Sequence, residues 1–147
     1  MKEAHEAART LGQKIEVLPA RNGGEIDAAF DVLKRTRANA LLIVADSLFF
    51  SRRVQIVTLA ARLGIPAIYT SREYAEAGGL MSYGTILADA YRQAGGYAAR
   101  ILQGVKPADL PVIQSTKFEM VVNMNTARAS GIEIPAALLV GADEVIE

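Results

Sequence analysis

The chain has 147 residues, of which 51% are hydrophobic and 22% charged, and its mean hydropathy is +0.19. That suffices for one core and is too apolar for a disordered tail. Sixteen basic residues balance sixteen acidic ones, so no basic excess exists to hold a nucleic-acid backbone. Cysteine is absent, which removes disulfides, Cys-based zinc sites and a Cys nucleophile. With one histidine, His5, a histidine metal site or triad is not expected, and no cofactor is implied. The longest apolar run, residues 40–45, is far short of the roughly 20 residues of a membrane helix.

Met1 is followed at once by a helical pattern rather than a signal peptide. Ala4, Ala7, Ala8 and Leu11 fall on one helix face, and Gly12 stands where a C-terminal cap belongs. Residues 14–18 alternate, with Ile15 and Val17 on one side, and predict a strand. A turn at residues 21–24 precedes a helix carrying Ile26, Ala29, Phe30 and Leu33. Residues 40–45 read as a strand buried on both faces, as in a parallel sheet. Ser51 is placed to cap a helix that Gly64 ends. Residues 66–69 predict a short strand, 72–77 a short helix, and 80–83 another strand. The longest helical pattern is 86–103, with Leu87, Ala90, Tyr91, Ala94, Ala98, Ile101 and Leu102 along one face. Gly104 and Pro107 close it, and 109–116 is a linker. Phe118, Met120 and Val122 alternate in a strand; Asn125 caps a short helix that Gly131 ends. From Pro135 the pattern is irregular, with a last segment at 144–146.

Strands alternating with helices predict an α/β fold, a mostly parallel sheet with helices on both faces. A parallel unit begins with a strand, and helix one has none before it, so an upstream element and a fragment are expected. In such sheets ligands bind beyond the carboxyl ends of the strands. The candidates are therefore Asp46 and Ser47, then Tyr69, Thr70 and Ser71, then Ser82, Tyr83 and Gly84. Asp46 suits an ammonium group or hydroxyls, or else caps the following turn. Ser82 and Tyr83 present hydroxyls and a ring, or else form a strand-to-helix turn with Gly84. Ser71 is equally a helix N-cap. Leu48, Phe49 and Phe50 read as core or lobe-interface packing. Arg52, Arg53, Lys34, Arg35 and Arg37 read as solvated helix surface, as do Glu73 and Glu76. No GxGxxG, GxxxxGK[ST] or GxSxG stands between a strand and a helix. A receiver-type phosphoacceptor would need an acidic pair after residues 15–19, and none follows. No catalytic residue is assigned, and the chain is not expected to be an enzyme.

Residues 38–50, ending Val44-Ala45-Asp46-Ser47-Leu48-Phe49-Phe50, resemble the substrate-binding proteins of a bacterial ABC-transporter family related to tryptophan and tyrosine uptake. So do Ala77-Gly78-Gly79-Leu80-Met81-Ser82-Tyr83-Gly84, Gly104-Val105-Lys106-Pro107-Ala108-Asp109-Leu110-Pro111, and the closing Ala142-Asp143-Glu144-Val145-Ile146-Glu147. The resemblance runs over nearly the whole chain. It implies a type I periplasmic-binding-protein fold, in which two α/β lobes close on a solute. This chain resembles the C-terminal half. Residues 1–78 and 116–147 would form the second lobe, and 79–115 a crossover segment packing on the first. The resemblance implies capture of a small solute such as an amino acid, docking on an ABC permease, and a periplasmic or extracytoplasmic location for the full-length protein. Asp46 would bind an ammonium or hydroxyl group, Ser47, Ser82 and Tyr83 would offer hydroxyls, and Tyr69 would stack on an aromatic ligand. The long helix lacks a partner within the chain, so a homodimer through residues 79–104 is expected. The alternative of another class is a cytoplasmic ligand-sensing domain of a regulator with the same fold. A flavodoxin-like enzyme ranks below both, because no phosphate loop is present.

Overall fold

A computed structural model describes residues 2–114 and 116–147. Met1, at the head of the expected first helix, and Ser115, in the expected linker, lie outside the described residues. Among the described residues five strands form one sheet: β1 (Leu41–Leu42), β2 (Ala67–Tyr69), β3 (Met81–Thr85), β4 (Phe118–Asn123) and β5 (Glu144–Ile146). Their spatial order is β1-β2-β3-β4-β5. The pairs β1–β2, β2–β3 and β4–β5 are parallel, and β3–β4 is antiparallel. Helices flank the sheet, so the expected α/β architecture is what forms.

Helix α1 (Lys2–Thr10) ends at Gly12, whose φ of 65° supplies the left-handed exit. Of its expected apolar face only Ala8 is buried. Helix α2 (Gly23–Thr36) starts earlier than its hydrophobic pattern. Asn22 Oδ1 accepts from the Glu25 amide and Glu25 Oε2 accepts from the Arg21 amide, a reciprocal cap. Next come α3 (Ser47–Ser51) and α4 (Arg53–Leu63). The expected cap at Ser51 is corrected: Asp46 caps α3, and Ser51 Oγ donates back to the Leu48 carbonyl. Gly64 ends α4 at φ 63°, as its position predicts. Helix α5 (Arg72–Glu76) follows β2, and α6 (Leu87–Leu102) follows β3. Asn123, two residues before the expected Asn125, caps α7 (Met124–Ser130) through the Thr126 amide. The tail expected to be irregular holds α8 (Ala136–Val140).

Two strand expectations fail. Residues 14–18 join no ladder among the described residues, and Val17 is exposed. Residues 40–45 are not buried on both faces: Ile43 is buried, but Leu42 and Val44 are exposed. The helices cover only the face of β1 that carries Leu41 and Ile43, which leaves Leu42 and Val44 open, and an alternating segment without a partner gains no ladder hydrogen bonds.

The core lies where α2 and α4 cover β1 and β2. Ile26, Phe30, Ile56, Val57, Ala60, Ala67 and Tyr69 form it together with Tyr74 of α5. Gln55 of α4 donates to the Gly23 carbonyl and to Asp27, tying the two helices. Asn123 donates to the Ala75 carbonyl from a buried position, which locks α5 onto β4.

Residues 79–115 do not behave as a unit. Strand β3 sits inside this sheet, between β2 and β4. Helix α6 stands outside it: its one buried residue among those described is a carboxylate, Asp89, whereas Tyr91 and Leu102 are 75% and 88% exposed. Asp89 accepts from Lys117 Nζ at 2.9 Å, from Gln93 and from Arg92, and the Ile86 amide donates to the Lys117 carbonyl. The hydrogen bond from Lys117 holds the Asp89 carboxyl below the ordinary aspartate range, and Gln93 adds to this. The folded-state value is thus lower than the unfolded one, so the tether contributes fully above about pH 4 and is lost as pH falls through the folded value. Amide exchange is expected to show α6 opening on acidification before the amides of α2 and α4. Simultaneous opening of all three helices would contradict this tether.

Candidate functional site

Because β1, β2 and β3 are parallel, their carboxyl ends lie on one side of the sheet. The register sets Tyr69 beside Ser82, so the loops leaving β2 and β3 start at nearly the same level. Asp46 stands beyond β1. Its Oδ1 accepts from the Leu48 amide at 2.8 Å and the Phe49 amide at 3.3 Å, so the capping role considered for it is real. The cap uses Oδ1 alone; Oδ2 takes no part in it, and both Asp46 and Ser47 are exposed. Capping and ligand contact are therefore compatible.

Tyr69 is placed differently from a ligand-stacking residue. It is 1% exposed, and its ring stacks on Tyr74 at 4.8 Å with planes 12° apart. Burial pushes its phenol well up, with Tyr74 adding. Gly79 lies against the ring: a Cβ there would stand 2.6 Å from the Tyr69 edge. Tyr69 is a core residue whose ring is already occupied.

Ser71 and Ser82 are both buried, and the Oγ of each has no hydrogen-bond partner among the described residues. Ser71 occupies the N-cap position of α5 yet makes no side-chain cap bond. A buried unpaired hydroxyl costs about 1–3 kcal/mol, so each marks a place where stability has been given up. Ser71, in the loop beyond β2, is at the carboxyl ends; Ser82, within β3, is fully enclosed.

Gly84 makes the closest contact of the region. A Cβ on it would stand 1.8 Å from the Thr70 carbonyl oxygen, so a hydrogen is all that fits between β3 and the loop after β2. Tyr83, on the other face, is 55% exposed and stacks on Phe118 of β4 at 5.8 Å. This exposed aromatic pair offers a flat apolar surface at the end of the β3–β4 ribbon.

Three further residues join the site that the sequence reading placed on solvated helix surface or did not single out. Tyr74 is buried, with burial pushing its phenol up to about 12; the Arg53 charge opposes the shift, and the Asp46 and Glu73 carboxylates add to it. The charges of Arg53, Asp46 and Glu73 are thus all felt at this one hydroxyl. Arg53 is half-buried, lies 5.1 Å over the Phe50 ring and donates to the Phe50 carbonyl. Glu73 is half-buried, and its Oε2 is buried without a partner among the described residues. One turn of helix is too short for periodicity to tell its faces apart, and Glu73 and Tyr74 lie in α5, a five-residue helix. The nearest usable signal was their position a few residues beyond a strand end.

Among the described residues no group of three or more His, Asp or Glu side chains could hold a metal ion. No described helix is long and apolar enough to cross a membrane. The groups gathered at this end of the sheet are hydroxyls, one cation, two carboxylates and an aromatic pair.

Comparison with known proteins gives these features a context. Residues 1–146 match the family described as ABC transporter substrate binding protein. No curated protein matches the sequence. A conserved domain protein from Vibrio cholerae superposes with a TM-score of 0.90 at 23% identity, over 99% of this chain and 49% of that one. An ABC domain from Streptococcus pneumoniae in complex with L-Trp gives 0.89 at 26% identity, over 99% and 49%. A substrate binding protein with adhesive properties from Clostridium difficile, in a ligand-free, open structure, gives 0.66 at 23%, over 99% and 48%. The chain therefore spans about half the length of each. The fold is that of periplasmic-binding-protein-like domains.

Gly84→Ala tests the packing of the site directly. The added methyl meets backbone rather than a movable side chain, so a loss of about 3 kcal/mol is expected in urea denaturation. An unchanged midpoint would contradict the contact.

Proposed function

We propose that this chain, which belongs to the ABC transporter substrate binding protein family, forms one lobe of an extracytoplasmic solute receptor that captures an amino acid or similar small solute for an ABC permease. One observation carries the reading. The carboxyl ends of three parallel strands gather an open carboxylate oxygen on Asp46 and a buried, unpartnered hydroxyl on Ser71. The complex of the Streptococcus pneumoniae domain with L-Trp supports the amino-acid class.

In this reading Asp46 Oδ2 accepts from the ligand's ammonium group while Oδ1 keeps α3 capped. Ser47 and Ser71 offer hydroxyls. Tyr83, backed by Phe118, offers a ring and a hydroxyl; Ser82, fully enclosed, shapes the strand rather than touching solute. Tyr69 positions Tyr74 through their stacked rings. Because β3 is part of this sheet, residues 1–85 and 116–147 make up the lobe body, and the crossover begins after β3. A single lobe leaves one side of the ligand wet, and closure of a second lobe would exclude that water and populate the closed form. The exposed apolar face of α6 supports packing on such a partner lobe, or a homodimer through residues 79–104.

Calorimetric titration of the full-length protein with L-amino acids tests this. Binding of at least one is expected. Asp46→Asn keeps a good N-cap but removes the charge, so the melting temperature should hold while affinity falls roughly tenfold or more, the worth of one charge-assisted hydrogen bond. Unchanged affinity would remove Asp46 from the site, and failure of every amino acid to bind would remove the ligand class.

A further inference from the structure

Arg72 is the first residue of α5, directly after Ser71. Its guanidinium makes three ion pairs with three different elements. Nε donates to Glu76 of α5 at 2.8 Å, Nη1 to Glu119 of β4 at 3.0 Å, and Nη2 to Glu144 of β5 at 2.7 Å. The Glu119 side chain is 10% exposed, so this carboxylate depends on its pairing; a buried charge stripped of its partner is strongly destabilising. Register explains why Arg72 can reach both strands. Glu119 pairs with Gly84, and Glu144 with Val121 two residues further along β4. Partners across a ladder share a face, and this is the face that α5 covers.

Ser71 is thus bracketed. On one side the Thr70 carbonyl lies against Gly84 so closely that no Cβ fits. On the other side Arg72 is fastened to Glu119, the residue paired with Gly84. Both contacts end on the same rung of the β3–β4 ribbon. The free hydroxyl of Ser71 sits between them.

We infer that Arg72 is a positioning residue that couples the loop carrying Ser71 to the β3–β4 ribbon, so that occupancy at the strand ends and displacement of that ribbon are one event. A ligand that draws on Ser71 must carry Thr70 and Arg72 with it, and through them Gly84 and Glu119. Conversely, a twist of the ribbon moves the hydroxyl. The planar fork of arginine is required, because one guanidinium must hold carboxylates on three elements at once; a lysine ammonium keeps the charge but not the three fixed directions. The coupling itself follows from contacts within the chain, and only its use in solute capture rests on the function proposed above.

The test separates the two. Amide hydrogen exchange, with no ligand present, is measured on the intact chain and on Arg72→Lys, Arg72→Met and Glu119→Gln. The expected result is that exchange at residues 70–72 and at residues 83–85 and 118–120 rises together, by roughly tenfold in Arg72→Met and less in Arg72→Lys. The amides of α2, remote from the network, serve as the reference for global opening. The double variant Arg72→Met/Glu119→Gln should fall short of the sum of its singles, because it leaves no buried unpaired charge. Should Arg72→Met fail to fold, Arg72→Lys and Glu119→Gln carry the same comparison. A rise confined to one of the two segments, no rise in either, or an equal rise in α2 overturns the coupling. Titration of the same substitutions in the full-length protein with L-tryptophan then asks whether affinity tracks exchange. If wild type does not bind L-tryptophan, the choice of solute fails while the exchange result still decides the coupling.

Discussion

The close approach of Gly84 to the Thr70 carbonyl is the constraint on which the rest of this structure depends. It is a contact between two backbones, so no side-chain adjustment relieves it. It holds the loop after β2 level with the end of β3, and that alignment brings polar groups from separate strands to one side of the sheet. Asp46 and Arg53 follow β1, Ser71 and Glu73 follow β2, and the parallel pairing of these strands brings the two local pairs to one end of the sheet. Around this contact the protein retains polar atoms that a purely structural design would have paired. The hydroxyls of Ser71 and Ser82 and one oxygen of Glu73 are buried without partners among the described residues. Groups of this kind cost stability when nothing pairs with them.

The lobe is unevenly finished. Its interior, between α2, α4 and the sheet, is well filled, with a stacked tyrosine pair and an edge-on phenylalanine, Phe50, against Tyr74. Its margins are not. Strand β1 shows Leu42 and Val44 to solvent, and α6 turns its apolar stripe outward while burying Asp89. An amphipathic helix that buries its Asp89 carboxylate and exposes Tyr91, Ile101 and Leu102 is inverted for an isolated lobe. The same helix is correctly made for one that meets a partner. Chains about twice as long superpose on it, in keeping with that reading.

Much of the fold was legible in the sequence because local signals were strong. Gly12, Gly64 and Gly131 each end a helix in the left-handed region, and the apolar run before Asp46 did announce a strand at the sheet. What local signals could not report was pairing. Residues 14–18 alternate as well as β4 does, but alternation states only that a segment could be a strand; a neighbour decides whether it becomes one. Caps also shifted. Asp46 and Asn123 outrank Ser51 and Asn125 because each leads directly from a strand or extended segment into a helix. At the site, Asp46 and Ser71 were reachable from their positions beyond strands. Tyr69 was misjudged as a ligand surface, because strand position does not reveal that Tyr74 comes back to stack on it. Arg53, Glu73 and Tyr74 were missed or set aside, since their meeting is tertiary.

The central claim is that solute is recognised at the joined ends of β1, β2 and β3. Backbone amide NMR of the full-length protein, titrated with L-tryptophan, tests it most directly. The account predicts that the shifting amides converge on residues 46–48, 70–74 and 82–85, with α2 unmoved. Shifts centred on α6, with those three segments silent, would contradict it.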